Sequence, residues 1–226
     1  MYTDEIIETL KEYQETNHQE ITGTLDTAFH YAFTSKPGIK YHEAMLKIKT
    51  PEFRTTNTII IVVADYQLEH IQIAPDDASC VGTRLKIAGP IRVTHHKDKE
   101  TGKRINTTAV YAMHTFRLAE ESEPDENHGC LCGHLKDIKN PKKTNSGKLL
   151  TEFRCETDRN YSKKTDYIPC VTWGHGSKIL PSIEENDSVR LTGHLQNRDY
   201  KRKDGKTWTV YEYVADIDNI ERASAE

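Results

Sequence analysis

The feature that most constrains the fold is a pattern of glycines and strand-like segments that occurs twice along the chain. Gly23 and Gly133 each lie near the start of an apolar, alternating segment, and Gly89 and Gly193 follow them after 66 and 60 residues, respectively. Alternation with a period of two is typical of strands that have one buried face. The repeated spacing therefore predicts a tandem duplication of one β-domain.

Turn sequences occupy equivalent places in both halves. Lys36–Gly38 and Asn145–Gly147 each fall between the first and second strand segments, and charged hairpins carry Gly102 and Gly205. Glycine adopts positive φ without steric cost, which tight turns often require. We predict an all-β fold of two five-stranded barrels, and in the first half the strands are predicted over residues 19–25, 41–49, 58–64, 85–93 and 107–116.

Two segments fall outside the predicted barrels. Ile6, Leu10 and Tyr13 recur at helical spacing, which predicts a short N-terminal helix. The residues around Pro124 are acidic and have no apolar anchor, which is typical of a linker. The predicted division is a helix in 1–18, a first barrel in 19–118, a linker in 119–127 and a second barrel in 128–222.

Charge is unevenly distributed between the halves. Residues 1–127 hold 14 Lys/Arg and 20 Asp/Glu, whereas residues 128–222 hold 17 Lys/Arg and 14 Asp/Glu. The second half is therefore the one expected to contact phosphates. No apolar run approaches the roughly 18 residues of a membrane span. The acidic start of the chain and its five cysteines lead us to expect a protein of the reducing cytoplasm, with no membrane association.

Several motifs of the second half carry a family resemblance. They are Thr144–Lys148, Asp158–Tyr161, Asp166–Gly174 and Gly193–Tyr200. In order and spacing this half resembles the bacterial single-stranded-DNA-binding proteins, which are oligonucleotide/oligosaccharide-binding (OB) barrels, and especially their tandem-barrel subgroup. In residues 19–118 only the strand-and-glycine framework is similar.

The resemblance implies sequence-independent binding of single-stranded DNA in replication, recombination or repair, with replication or recombination proteins as further partners. It also implies four barrels per assembly, so a chain with two barrels is expected to form a homodimer.

The strand predicted at residues 166–174 supplies the first candidate binding residues. Because side chains alternate, Tyr167 and Trp173 share the outer face, while Ile168 and Cys170 face the barrel interior. Exposed rings stack on unpaired bases with little regard to sequence. Trp173 has an alternative role, which is to pack beneath the helix predicted from residue 177 to residue 183.

Two loop tyrosines, Tyr161 and Tyr200, match positions where the family places stacking rings; alternatively, each pins its own loop. Trp208 and Tyr213 have opposite parity on the last strand, so one of them is expected inside the barrel.

Basic residues flank these rings in two clusters, beside the first hairpin and beside the hairpin between the fourth and fifth strands. Such hairpins border the groove of OB barrels, where cations meet phosphates. A run of lysines can equally be a solvated surface. The candidate phosphate contacts are Lys148, Arg154, Arg159, Arg198, Lys201, Arg202 and Lys203.

Metal binding and catalysis find little support in the sequence. His128, Cys130, Cys132 and His134 are close together, but same-face residues of a strand lie about 6.6 Å apart and cannot surround one ion. No phosphate-binding glycine loop, zinc-protease motif or nucleophile turn is present. We therefore expect no metal, no cofactor and no enzyme. The alternative function is a protein-interaction adaptor of the primosome type with little or no DNA binding.

Overall fold

The computed structural model describes residues 17–50, 55–97, 104–119, 123–144, 146–159, 163–201, 205 and 207–222, and these form mainly β-strands. The first half contains β1 (Asn17–Leu25), β2 (His30–Thr34), β3 (Lys40–Thr50), β4 (Thr55–Ala64), helix α1 (Asp65–His70), β5 (Arg84–Gly89), β6 (Ile91–Lys97), β7 (Arg104–Tyr111) and β8 (His114–Arg117). The second half contains β9 (Glu126–Lys136), β10 (Lys142–Lys143), β11 (Leu149–Asp158), β12 (Thr165–Trp173), helix α2 (Gly176–Ile179), β13 (Ser188–Lys201) and β14 (Thr207–Arg222). Within the described ranges, no helix has the length and apolar character needed to cross a membrane.

The chain divides into two compact units. The N-terminal unit comprises residues 19–128 and 195–211, and the C-terminal unit comprises residues 129–194 with the described parts of 1–18 and 212–226.

The C-terminal unit contains a closed five-stranded barrel. Strand β9 pairs with β11 on one side and with β13 on the other, and β11 pairs with β12. A parallel pairing of β12 with β14, at Cys170↔Tyr213, completes the ring, since β14 neighbours β13. Fully buried side chains fill its interior, among them Leu131, Leu135, Cys155, Ile168, Leu191 and Tyr213.

The N-terminal unit repeats this order. Strand β3 pairs with β1 and β4, and a parallel pairing of β4 with β7, at Ile61↔Val110, corresponds to the parallel pairing of the other barrel. The ring closes through β5, which pairs with β1, and β6, which pairs with β7. The all-β fold of two tandem five-stranded barrels is therefore confirmed.

Two strands predicted as continuous in the N-terminal unit are each divided. Pro90 separates β5 from β6, because proline has no amide hydrogen to donate to a neighbouring strand. Beyond β7 the chain changes partners: the amide of Ala112 donates to Val62 (2.9 Å) and that of Met113 to Ala88 (2.9 Å). Strand β8 then pairs with β5.

The four landmark glycines mark the places where strands cross closely within each unit. A Cβ on Gly23 or Gly133 would overlap the carbonyl oxygen of Lys47 or Glu156, respectively, and Gly89 and Gly193 lie equally close to the carbonyls of Tyr111 and Val214. Equivalent glycines therefore meet equivalent strands in both barrels. The turn glycines Gly38 and Gly147 also match, with φ of 92° and 82°.

The segments outside the predicted barrels differ in part from expectation. Strand β1 begins at Asn17, so a helix cannot extend to residue 18, and residues 1–16 lie outside the described residues. In the predicted linker, Glu126 and Asn127 belong to β9. The guanidinium of Arg84 pairs with Asp125 and donates to the carbonyl oxygen of Glu123 (2.6 Å). Polar groups therefore anchor this acidic segment where apolar ones are lacking.

Replacing Gly193 by Ala should lower the free energy of unfolding by about 1–3 kcal/mol, because the new methyl group would displace the backbone of β14. Urea unfolding followed by circular dichroism measures this change. Thr192→Ala, at an exposed position of the same strand, serves as the control and should shift stability by no more than about 0.5 kcal/mol. Equal stability of Gly193→Ala and the parent would contradict the close approach.

Candidate nucleic-acid interface

Strand β12 places its alternate side chains as the sequence predicts. Ile168, Cys170 and Thr172 are buried at no more than 2% exposure, whereas Tyr167 is 48% exposed on the outer face. Trp173 is half-buried at the end of the same face. Tyr167 is therefore the ring of this strand that is most available for stacking.

The phenol of Tyr167 belongs to a polar group that spans three strands. Its hydroxyl donates to Glu156 Oε1 (2.8 Å) on β11, and Lys136 Nζ on β9 lies 2.9 Å from Glu156 Oε2. The hydrogen bond to Lys136 lowers the pKa of Glu156, and the hydrogen bond to Glu156 raises the pKa of Tyr167. The carboxylate is therefore ionised, and the phenol keeps the proton that it donates.

Two of the predicted phosphate contacts are paired with carboxylates. Arg159 donates through Nε and Nη2 to the two oxygens of Asp166 (both 2.6 Å), and Asp166 is only 2% exposed. Arg154 lies on the outer face with Nη1 3.2 Å from Asp137 Oδ2. A bidentate pair with a buried carboxylate fixes the guanidinium plane. Arg159 is thus held by a buried carboxylate and is 22% exposed, whereas Arg154 is 54% exposed.

The structure describes the remaining candidates only in part. Lys148 is exposed beside the turn at Gly147, and Arg198 is half-buried on β13. Gly205 has a φ of 79°, as its turn requires. For Tyr200 and Lys201 the structure describes only the strand backbone; Tyr161, Arg202, Lys203 and the predicted turn residue Gly102 lie outside the described residues.

The N-terminal unit carries a group of rings that the sequence analysis missed. We define the ring cluster as Phe33, Tyr41 and Tyr111. Phe33 stacks on Tyr41 with centroids 4.9 Å apart and planes 11° from parallel, and its centroid lies 6.3 Å from that of Tyr111. The guanidinium carbon of Arg92 lies 5.1 Å from the centroid of Tyr111. Aromatic rings and a cation therefore meet on the first barrel as well.

The ring cluster lies on the outer side of its barrel. On β4, Ile59, Ile61 and Val63 point inward, so Val62 points outward, where it packs with Tyr111 and Ala109. Phe33 remains 36% exposed above this apolar base. The short strand β2, which contributes Phe33, was not among the predicted strands. The sequence pattern that could have indicated it is the alternation of the aromatic residues Tyr31 and Phe33.

The cysteines of the C-terminal unit lie mainly in its core. Cys130, Cys155 and Cys170 are buried and Cys132 is half-buried. Burial raises the pKa of the Cys155 thiol to about 12 and also raises that of Cys170. Among the described residues, no three His, Cys, Asp or Glu side chains are grouped so that they could hold a metal ion.

A closed five-stranded barrel whose third and fifth strands pair in parallel defines the OB class, and comparisons with known proteins identify the family. The model of the single-strand binding protein family matches residues 126–222. The single-stranded DNA-binding protein of Clostridium tetani is 32% identical over 96 residues, which cover 40% of this chain and 66% of the relative. Single-stranded DNA-binding protein 2 of Clostridium acetobutylicum is 30% identical over 96 residues, covering 40% of this chain and 72% of the relative.

Similarity of fold extends over almost the whole chain. The crystal structure of the wild-type single-stranded DNA binding protein from Thermus aquaticus matches with a TM-score of 0.67 at 15% identity, covering 93% of this chain and 94% of that one. The chain spans about two thirds of the length of the curated relatives that it matches. It belongs to the single-strand binding protein family.

Replacing Arg159 by Ala should lower the free energy of unfolding by about 3–5 kcal/mol, because the buried carboxylate of Asp166 would lose its partner. Arg154→Ala is the matched control; its ion pair is more than half exposed, and we expect a change below about 1 kcal/mol. Thermal and urea unfolding of both variants measure the difference. A stable Arg159→Ala variant with weakened nucleic-acid binding would instead give Arg159 the phosphate role predicted from the sequence.

Proposed function

We propose that this chain binds single-stranded DNA without sequence preference and that bases stack on the outer face of the second barrel. The observation that carries the proposal is Tyr167, which is 48% exposed on β12. Base stacking on such a ring contributes about 1–3 kcal/mol per base. The relatives in Clostridium tetani and Clostridium acetobutylicum are named as single-stranded DNA-binding proteins, which supports the same ligand for this chain.

Further contacts belong to the same proposal. As in the sequence prediction, we propose Trp173, Tyr161 and Tyr200 as further stacking rings, and the phosphate contacts that we propose are Lys148, Arg154, Arg198, Lys201, Arg202 and Lys203. Arg159 was predicted as a phosphate contact; because it is paired with Asp166, we propose that it supports the fold instead. The organisation that we propose is a helix before residue 17, a first barrel in 17–118, a connecting segment in 119–125 and a second barrel in 126–222. The protein would serve DNA replication, recombination or repair in the cytoplasm, by binding and not by catalysis.

The ring cluster changes the role that we assign to the first barrel. The sequence led us to expect nucleic-acid contacts in the second barrel, whereas Phe33, Tyr41 and Tyr111 with Arg92 combine ring faces and a cation on the outer side of the first. We assign the ring cluster as a second stacking surface. The adaptor function remains the second candidate, because an exposed apolar surface on an acidic barrel also suits a protein partner.

The proposed function predicts that affinity for oligothymidine exceeds affinity for a duplex of the same length by at least about tenfold, because stacking needs unpaired bases. Intrinsic tryptophan fluorescence, titrated with each oligonucleotide, measures both affinities. Affinity should fall with salt at a log–log slope of about −0.7 per phosphate contacted. Equal affinity for both forms would reduce binding to general charge attraction, and no binding to either would favour the adaptor.

A second measurement tests the ring cluster. Phe33→Ala should weaken oligothymidine binding by about 1–3 kcal/mol, because one stacking surface is lost. The barrel should stay folded, since the replaced ring is partly exposed at 36%. Tyr66→Ala on helix α1, where Tyr66 is 58% exposed, is the control for loss of a surface ring. Unchanged DNA binding by Phe33→Ala would leave the cluster to a protein partner.

A homodimer is the assembly that we propose, because two chains of two barrels supply the four barrels implied by the resemblance. The apolar run from Ile59 to Ala64 is not available as the core of the dimer interface, because Ile59, Ile61 and Val63 are buried in the barrel. Light scattering on the DNA-free protein should report about twice the chain mass of 25.9 kDa. A single-chain mass at micromolar concentration would contradict the dimer.

A further inference from the structure

The outer face of the second barrel contains a carboxylate next to the proposed stacking ring, where a negative charge is unexpected. Glu156 lies directly opposite Tyr167 in the pairing of β11 with β12. A negative charge beside a proposed stacking ring repels the phosphates of a strand that approaches it. On electrostatic grounds alone, this residue should weaken binding.

The contacts of Glu156 suggest another role. One carboxylate oxygen accepts the hydroxyl of Tyr167 (2.8 Å), and the other lies 2.9 Å from Lys136 Nζ. Lys136 Nζ in turn donates to Asn186 Oδ1 (2.5 Å). Each end of the carboxylate therefore has one donor, and the lysine that holds it is fixed by a second acceptor.

We propose that Glu156 is a positioning residue for DNA binding, which holds the ring of Tyr167 in the orientation that a base can stack on. This inference rests on the proposed function. The hydroxyl of Tyr167 serves as the point of attachment, so the two faces of the ring stay available. An exposed ring held in place before binding loses less side-chain entropy when a base arrives.

The same strand provides a matched carboxylate without this arrangement. Glu152 lies four residues earlier on β11, on the same outer face, and its Oε1 is 2.6 Å from Lys142 Nζ. Its partner across the β11–β12 pairing is Val171, so no tyrosine stands opposite it. Removing either carboxylate deletes one negative charge and releases one lysine, but only Glu156 is bonded to the ring of Tyr167.

The two explanations predict opposite signs for Glu156→Ala. If charge dominates, this variant should bind oligothymidine more tightly than the parent, and Glu152→Ala should do the same. If Glu156 positions Tyr167, Glu156→Ala binds more weakly by about threefold or more, a typical size for coupling between contacting residues. Glu156→Gln keeps an acceptor for the hydroxyl and should retain most of the affinity. Affinities measured over a range of salt separate the two effects, because the charge contribution vanishes at high salt and the positioning contribution does not.

A double-mutant cycle with Tyr167→Phe completes the test. Phenylalanine keeps the ring but removes the hydroxyl, so it should weaken binding by a similar factor, and adding Glu156→Ala should then cause no further loss. Independent, additive losses or tighter binding by Glu156→Ala would overturn the positioning role. A parent protein that does not bind oligothymidine would instead overturn the proposed function.

NMR of ring-labelled tyrosine provides a readout that does not depend on DNA. In the parent, Glu156 raises the pKa of Tyr167, so its phenol should titrate at higher pH than in Glu156→Ala. The Tyr167→Phe spectrum identifies the signal. Unchanged titration in Glu156→Ala would show that the hydrogen bond is absent in solution and would also overturn the proposal.

Discussion

Each barrel can close only because the chain crosses itself at backbone contact distance in two places. Gly133 lies against the carbonyl of Glu156 and Gly193 against that of Val214, and a Cβ at either position would overlap the carbonyl oxygen unless the backbone moved. The same barrel contains the parallel pairing at Cys170↔Tyr213, and the alternation of strand side chains turns Ile168 inward and Tyr167 outward on β12. Tyr167, the exposed ring on which the proposed function rests, therefore lies in a barrel whose strands can approach one another this closely because Gly133 and Gly193 have no side chains.

These close contacts at glycines explain why the fold could be predicted from the sequence. The repeated spacing of the glycines indicates where strands approach one another closely. The period of two between the glycines indicates which face of each strand is buried. The division of the strand at Pro90 was missed, because the buried positions continue with the same parity on both sides of it. The short strand β2 was missed, because none of its five residues is buried and it has no buried face. The candidate rings of β12 could be predicted for the same reason. The ring cluster could not, because Phe33, Tyr41 and Tyr111 come from three separate strands and meet only in the folded barrel.

Charges were less predictable than rings, since a sequence shows which residues are charged but not which ones are paired. Arg159 looked like a phosphate contact and is bonded to a buried carboxylate, while Lys136, Lys142 and Arg154 each lie beside an acid of the second barrel. Pairing of this kind lowers the effective positive charge of the outer face. A strand of DNA that binds there must displace these acids or rely mainly on stacking, and the partly buried pairs are the ones that resist displacement.

The two barrels show how the outer surface can differ while the framework of strands stays the same. The crossings at Gly89 and Gly193 make Tyr111 and Val214 equivalent, so Val110 is the counterpart of Tyr213. In the second barrel the tyrosine points inward, is fully buried, and donates its hydroxyl to the carbonyl of Gly129 (2.8 Å). In the first barrel the tyrosine is Tyr111, one residue after Val110, and it points outward, where it belongs to the ring cluster. Because strand side chains alternate, a shift of one position moves a ring from the core to the surface without altering the pairing of either strand.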